Sequence, residues 1–298
     1  MFTSTGMARV RRSVLFVPGS DRAALRGALK SGPDTLVVDL EDTVTPARKH
    51  AARALAVAFL GEPAPAGTER AARVNSPATP YFSDDLPAVI GAGADALVIP
   101  KVNSAGEIRA VDDQVARTEV ERGRPPGSVR LLPLIETALG VLNAYAIATA
   151  CPRVDALLLG HVDLSLNLGI REAGIRQGTI LHARCQVVLA ARAAGRDAID
   201  ALFMNPTDAD GFREEAREGQ RLGFAGKLLL HPDQVRLVHE VYAPSDGEIA
   251  HARRVVQAFD EAAAAGTGMF LLDGRVIDLP VVEAERAVLE RARRAGAL

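Results

Sequence analysis

Residues 130–164 read RLLPLIETALGVLNAYAIATACPRVDALLLGHVDL, and this stretch decides the fold. Two short apolar runs, Arg130–Ile135 and Ala156–Leu159, flank a longer segment with helical patterning. Polar residues follow each run at once: Glu136 and Thr137 after the first, Gly160, His161 and Asp163 after the second. A strand, a helix and another strand in that order form a parallel pair joined by a crossover. Near-continuous apolar strands suit a sheet covered on both faces.

The same alternation extends both ways. Ser13–Pro18, Thr35–Leu40, Ala71–Val74 and Ala96–Pro100 precede the opening segment as strand candidates, and Ala198–Phe203 and Lys227–Leu230 follow it. The helices between them carry recognisable ends. Asp21 precedes AALRGALK, Thr45 precedes Pro46, Ser104 and Glu107 fit a capping box, and Gly223 closes REEAREGQRLG. Eight strands, each followed by a helix, predict an α/β chain folded as a (β/α)₈ TIM barrel. An open doubly wound sheet is the alternative, but it uses fewer strands and needs a switch point. Beyond residue 244 the pattern changes. Ser245–Gly266 reads as a long helix, Asp273-Gly274 as a hairpin turn and Val281–Ala295 as a last helix. The chain is therefore read as a barrel domain over 1–244 and a C-terminal helix–hairpin–helix arm over 245–298. That arm packs on its own barrel or on a neighbouring subunit.

Composition narrows the function. Acidic and basic residues nearly cancel, at a net charge of −2, and no basic run occurs, which argues against nucleic acid and against electrostatic membrane binding. Cys151 and Cys185 lie in no CxxC or metal-type spacing and read as thiols in a reducing compartment. The first twelve residues lead into no apolar stretch, and no window approaches the ~20 apolar residues of a spanning helix. The expected location is the cytoplasm.

In a barrel of this kind, polar residues at the C-terminal ends of strands mark the active site. Here they are Asp39, Glu41 and Asp42 after the second strand, Arg73 and Asn75 after the third, Lys101 after the fourth, Glu136 after the fifth, and His161 and Asp163 after the sixth, with Asn205 and His231 near the last two. Acids gathered at low dielectric repel one another, and a divalent cation relieves this. Carboxylates completed by water suit Mg²⁺, and Glu136 and Asp163 close consecutive strands, so these two are the candidate ligands. Asp163 also fits as a cap ahead of LSLNLG. Arg73 offers a guanidinium fork for a substrate carboxylate, or else an ion pair with Asp39 or Glu41. Lys101 reads as a partner for the acids, because a Schiff-base lysine would leave them without a purpose. His161 and His231 read as hydrogen-bonded rim residues. A zinc site is conceivable, though no HExxH or Cys/His pattern supports it. Gly19 opens a βα turn at which an anion could dock, with Arg22, Arg26 and Lys30 on the next helix meeting its phosphate or forming a solvated face.

Seven segments in order span nearly the whole chain: RSVLFVPGS (12–20), VVDLEDTV (37–44), RVN (73–75), IPKV (99–102), LIETALGVLNA (134–144), GFAGKLLLHPDQV (223–235) and DGRVIDLP (273–280). Together they resemble the citrate lyase β-subunit-like proteins of the HpcH/HpaI aldolase family, which also includes malyl-CoA, citramalyl-CoA and citryl-CoA lyases. The resemblance implies a homotrimer of TIM barrels, with Mg²⁺ on Glu136 and Asp163 and a substrate carboxylate on Arg73. Asp39, Glu41 and Lys101 complete the catalytic set. Gly160 and His161 belong to the substrate-binding segment. In the CoA-lyase branch an aspartate of the C-terminal arm, here Asp278, acts as acid–base from a neighbouring subunit. A helix cap ahead of Pro280 is its plainer role. Many members read G-x-E-D-L where this chain reads Gly160-His161-Val162-Asp163-Leu164, so the glutamate position holds Val162. The implied activity is Mg²⁺-dependent cleavage or formation of the acyl-CoA ester of a small 2-hydroxy acid, with a 2-oxo acid and an acyl-CoA as the other side of the reaction. A CoA-independent class II pyruvate aldolase and a non-catalytic lyase-like subunit are the alternatives.

Overall fold

The apolar runs pair side by side in chain order and close on themselves. The computed structural model describes residues 9–63, 65, 67–171, 175–296 and 298. The chain divides into two compact units, one ending at His239 and one over Glu240–Leu298. The first contains β1 (Ser13–Pro18), α1 (Arg22–Lys30), β2 (Thr35–Asp39), α2 (Lys49–Leu60), β3 (Glu69–Arg73), α3 (Phe82–Gly91), β4 (Ala96–Ile99) and α4 (Ala105–Glu121). It continues through β5 (Arg130–Ile135), α5 (Ala138–Leu142), α6 (Ala144–Ala148), β6 (Ala156–Leu159), α7 (His161–Asn167), α8 (Gly178–Ala193), β7 (Asp197–Asp200), α9 (Ala209–Leu222) and β8 (Gly226–Leu229); α10 (Asp233–Tyr242) runs across the boundary between the units. The strands form a closed barrel in the order β1 to β8, with β8 pairing in parallel to β1, so no strand edge is left open.

Strand geometry sends alternate side chains to the barrel axis. Val14, Val37, Ala71, Leu134, Leu158 and Ile199 belong to the resulting buried column. Two positions further along the same rows stand Asp39, Arg73 and Glu136. Asp39 and Arg73 are register partners across β2 and β3, so they meet at the C-terminal mouth by construction. Glu69 occupies the same row of β3 at the opposite end.

Capping follows the sequence closely. Asp21 accepts from the Ala24 amide and Ser104 from the Glu107 amide. Gly223, at φ 103°, takes the left-handed turn that ends α9. The seventh strand is shorter than the expected Ala198–Phe203. Lys227 Nζ, rather than a neighbouring strand amide, binds the Ala201 carbonyl at 2.7 Å, and the ladder stops at Asp200↔Lys227.

In the second unit, α11 (Asp246–Ala264) starts at a reciprocal capping box of Ser245 and Glu248. An antiparallel hairpin of β9 (Phe270–Leu272) and β10 (Arg275–Ile277) follows. Its turn residues Asp273 and Gly274 both have positive φ, 51° and 78°, which suits an Asp-Gly two-residue turn. Phe270, Leu272 and Ile277 pack with Val255 and Val282, and α12 (Leu279–Arg294) closes the unit. Among the described residues no helix is long and apolar enough to cross a membrane.

Candidate active site

The mouth of the barrel is organised around one guanidinium. Arg73 donates through Nε to Asp39 Oδ1 at 2.7 Å and through Nη2 to Asp39 Oδ2 at 2.6 Å, a bidentate pair buried at the strand ends. Its Cζ lies 5.3 Å from the centre of the Phe16 ring on the inner wall. Asp39 also accepts from Thr43 Oγ1 and the Glu41 amide. Burial pushes the Asp39 carboxyl up, but Arg73 and these hydrogen bonds outweigh it and leave the group below its usual range. The ion-pair alternative for Arg73 is thus present in the fold. The Nη1 side of the fork pairs with Glu41 Oε2 at 3.0 Å.

Lys101 links the two sides of the mouth. Its ammonium pairs with Glu41, lies 3.3 Å from Asp42 Oδ2 and 3.8 Å from Asp163 Oδ1. Its backbone sits in the left-handed region at φ 55°, which is costly for a residue with a Cβ. That twist directs the Lys101 amide at Glu136 Oε1, 2.7 Å away. Glu136 is 1% exposed. Burial first, then the charge of Asp163, pushes its carboxyl up to about 8, against the smaller pull of Lys101 and Arg73. Burial likewise raises Glu41, which Arg73 and Lys101 do not fully offset.

Asp163 is in the first turn of α7, and its side chain is partly exposed. The residue before that helix must be glycine. A Cβ at Gly160 would stand 2.6 Å from Glu136 Oε2 and 2.7 Å from Glu136 Cβ. His161 is buried at the first helical position, and its carbonyl accepts from Ser165 Oγ. Val162 is exposed on the same turn.

Lys49, which the sequence pattern did not single out, also supports the mouth. Its ammonium is buried at the start of α2 and donates to the Leu40 and Glu41 carbonyls at 2.7 Å each. Burial lowers its pKa, against the pull of Asp39 and Glu41. The mouth then holds five carboxyls, Asp39, Glu41, Asp42, Glu136 and Asp163, facing Arg73, Lys101 and Lys49. Acids outnumber bases. Among the described residues no three His, Cys, Asp or Glu side chains group to hold a metal. The seat on offer is a pair of hard carboxylate oxygens, with water or substrate oxygens completing the shell.

Other expected residues do not join this group. Asn75 turns to Asp85 Oδ2 and the Leu40 carbonyl at 2.6 and 3.0 Å. Asn205 accepts from Thr207, and His231 lies beside Asp233. Arg22 and Arg26 are paired with Glu62. Asp278 caps α12 by accepting from the Val281 amide at 3.3 Å, its plainer role within one chain.

Known proteins resemble this chain over nearly its whole length. Residues 12–232 match the family described as HpcH/HpaI aldolase/citrate lyase. The chain is 39% identical over 289 residues to the citrate lyase subunit beta of Escherichia coli K12, covering 97% of this chain and 95% of that one. It is 32% identical to the L-malyl-CoA/beta-methylmalyl-CoA lyase of Rhodobacter capsulatus, covering 97% and 96%. The structure of CitE from Mycobacterium tuberculosis in complex with magnesium, acetoacetate and coenzyme A superposes with a TM-score of 0.79 at 30% identity, covering 96% of this chain and 100% of that one.

Proposed function

The chain belongs to the HpcH/HpaI aldolase/citrate lyase family, and on that premise we propose that it is a magnesium-dependent carbon–carbon lyase acting on the CoA ester of a small 2-hydroxy acid. The observation that carries the reading is Glu136. It is a buried carboxyl held at about 8 by burial and by Asp163, which the positive charges of Lys101 and Arg73 do not offset and a divalent cation would. The donor chemistry fits magnesium, which is bound in the CitE complex. Glu136 and Asp163 would hold it.

When bound, magnesium supplies charge that acidifies a 2-hydroxyl and binds the adjacent carboxylate. The residues of this chain do the rest. Asp39 fixes the plane of Arg73, and the Nη1 side takes the substrate carboxylate in competition with Glu41. Lys101 gathers Glu41, Asp42 and Asp163 so that they do not spread apart by repulsion. Glu41, with its carboxyl raised, is the group in the mouth suited to accept the hydroxyl proton as the C–C bond breaks. The products are a 2-oxo acid and a thioester enolate, which takes a proton on carbon. We assign that proton to Asp278 of a neighbouring copy, as the family resemblance implies.

The test is a screen of malyl-, citramalyl-, citryl- and related CoA esters, with released 2-oxo acid trapped as a hydrazone. Release that requires Mg²⁺ and stops with chelator supports the lyase. Release from CoA-free hydroxy acids alone would replace it with the aldolase reading. Thioester loss with no 2-oxo acid would mean hydrolysis instead.

A further inference from the structure

One half-buried asparagine in the β4–α4 loop uses each of its polar atoms to tie three segments together. Asn103 Nδ2 donates to the Lys101 carbonyl at 2.9 Å. Asn103 Oδ1 accepts from Thr137 Oγ1 at 2.6 Å, in the loop that carries Glu136. Its backbone carbonyl accepts from Asn143 Nδ2 at 2.8 Å, between α5 and α6. Its amide donates to Glu107 Oε2 at 2.8 Å, in the first turn of α4. It thus bridges Lys101 itself and Thr137, the residue next to Glu136, on the two sides of the Lys101–Glu136 contact.

That contact depends on an uncommon backbone. Lys101 has φ 55°, and such conformations persist where surrounding bonds over-determine them. The twist gives Lys101 two directions at once. Its amide points to Glu136 Oε1, and its ammonium points to Glu41, Asp42 and Asp163. Relaxation to an ordinary φ would turn the amide away and release one oxygen of the proposed metal ligand.

We propose that Asn103 is a positioning residue that locks Lys101 in its left-handed conformation and thereby aims the Glu136 carboxylate at the cation seat. It touches neither substrate nor metal. The inference rests on the reading of Glu136 as a magnesium ligand.

Titration calorimetry of the full chain with MgCl₂, alongside thermal unfolding of the metal-free protein, tests it. Asn103→Ala should weaken Mg²⁺ binding by about 10- to 100-fold, the usual cost of losing a residue that orients a ligand. Glycine adopts positive φ without a Cβ cost, so in a Lys101→Gly background the same Asn103→Ala change should cost less than about threefold. A purely structural role would lower the melting temperature in both backgrounds and leave Mg²⁺ affinity alone. Should Asn103→Ala fail to fold, Thr137→Val removes the bond to Asn103 together with the cap of α5 at the Gly140 amide; the lost cap is read in the melting temperature, and the lost bond to Asn103 should weaken Mg²⁺ by about fivefold. Mg²⁺ affinity unchanged in Asn103→Ala or in Thr137→Val, or a loss equally large without the lysine side chain, overturns the proposal. A wild-type chain that takes up no Mg²⁺ overturns the metal reading itself, and the proposal with it.

Discussion

Each end of the barrel buries a glutamate, and the two are surrounded differently. At the N-terminal end Glu69 is 0% exposed and accepts from Arg11 Nε, Arg11 Nη2 and Thr35 Oγ1 at 2.6, 2.7 and 2.8 Å. Asp155 accepts from Arg11 at 3.0 Å and from Arg130 Nε at 2.8 Å. Burial raises Asp155, but Arg130 and Arg11 more than offset it, so its carboxyl lies below the usual range. At the C-terminal end Glu136 is nearly as buried, yet its carboxyl is pushed up to about 8. One end neutralises itself with its own arginines. The other is left short of positive charge beside a partly open mouth, which is what a site for a divalent cation requires. The largest expected effect follows. Asp163→Ala should lower turnover by about a thousandfold, some 4 kcal/mol of barrier. It should not lower the melting temperature of metal-free protein, because it removes a charge that repels Glu136. Turnover that survives the substitution in chelator-treated buffer would erase the functional half of the contrast.

Arg11→Met probes the opposite end. It takes the principal partner from a buried carboxylate, leaving it Thr35 and the more distant Arg9 at 3.5 Å, and losing one partner of a buried pair costs about 3–5 kcal/mol. For a chain of this size that is roughly 10 °C of melting temperature. Magnesium affinity should stay at the wild-type value, since Arg11 supports only the floor. Loss of Mg²⁺ binding in this variant would show that the two ends are coupled.

What the sequence could show depended on periodicity. Each expected strand overlaps an observed one, because apolar runs such as Arg130–Ile135 and Ala156–Leu159 have a period that strand geometry enforces. The same period carries side-chain direction one or two residues past a strand end, so Asp39, Arg73 and Glu136 were legible as mouth residues. It fails further out. Asn205 and His231 lie in turns after β7 and β8, where nothing in the two-residue period fixes where a side chain points, and they face their own loops. Lys49 and Asn103 were invisible for a different reason. They act through backbone carbonyls and through a hydroxyl in another loop, and such partners leave no trace in composition or spacing. The positive φ of Lys101 is likewise not encoded by residue type, since lysine does not favour it.

The smallest effect is the most direct reading of the contrast. Glu136 has its folded pKa raised from 4.5 to about 8, first by burial and then by Asp163. A raised acid stabilises the fold while protonated. Its contribution is full below 4.5 and is lost as pH climbs through about 8. Asp155, with its pKa lowered, has the opposite sign: its contribution is present at neutral pH and is lost in acid. Metal-free protein should therefore melt progressively lower between about pH 5 and pH 8, whereas saturating Mg²⁺, which favours the ionised carboxylate, should flatten that slope. Glu136→Gln has no proton to lose there and should show a shallower metal-free slope, what remains belonging to Glu41, whose carboxyl burial also raises. A metal-free slope that persists unchanged in Glu136→Gln would mean that another group titrates in this window, and that the charge deficit at the mouth does not lie with Glu136.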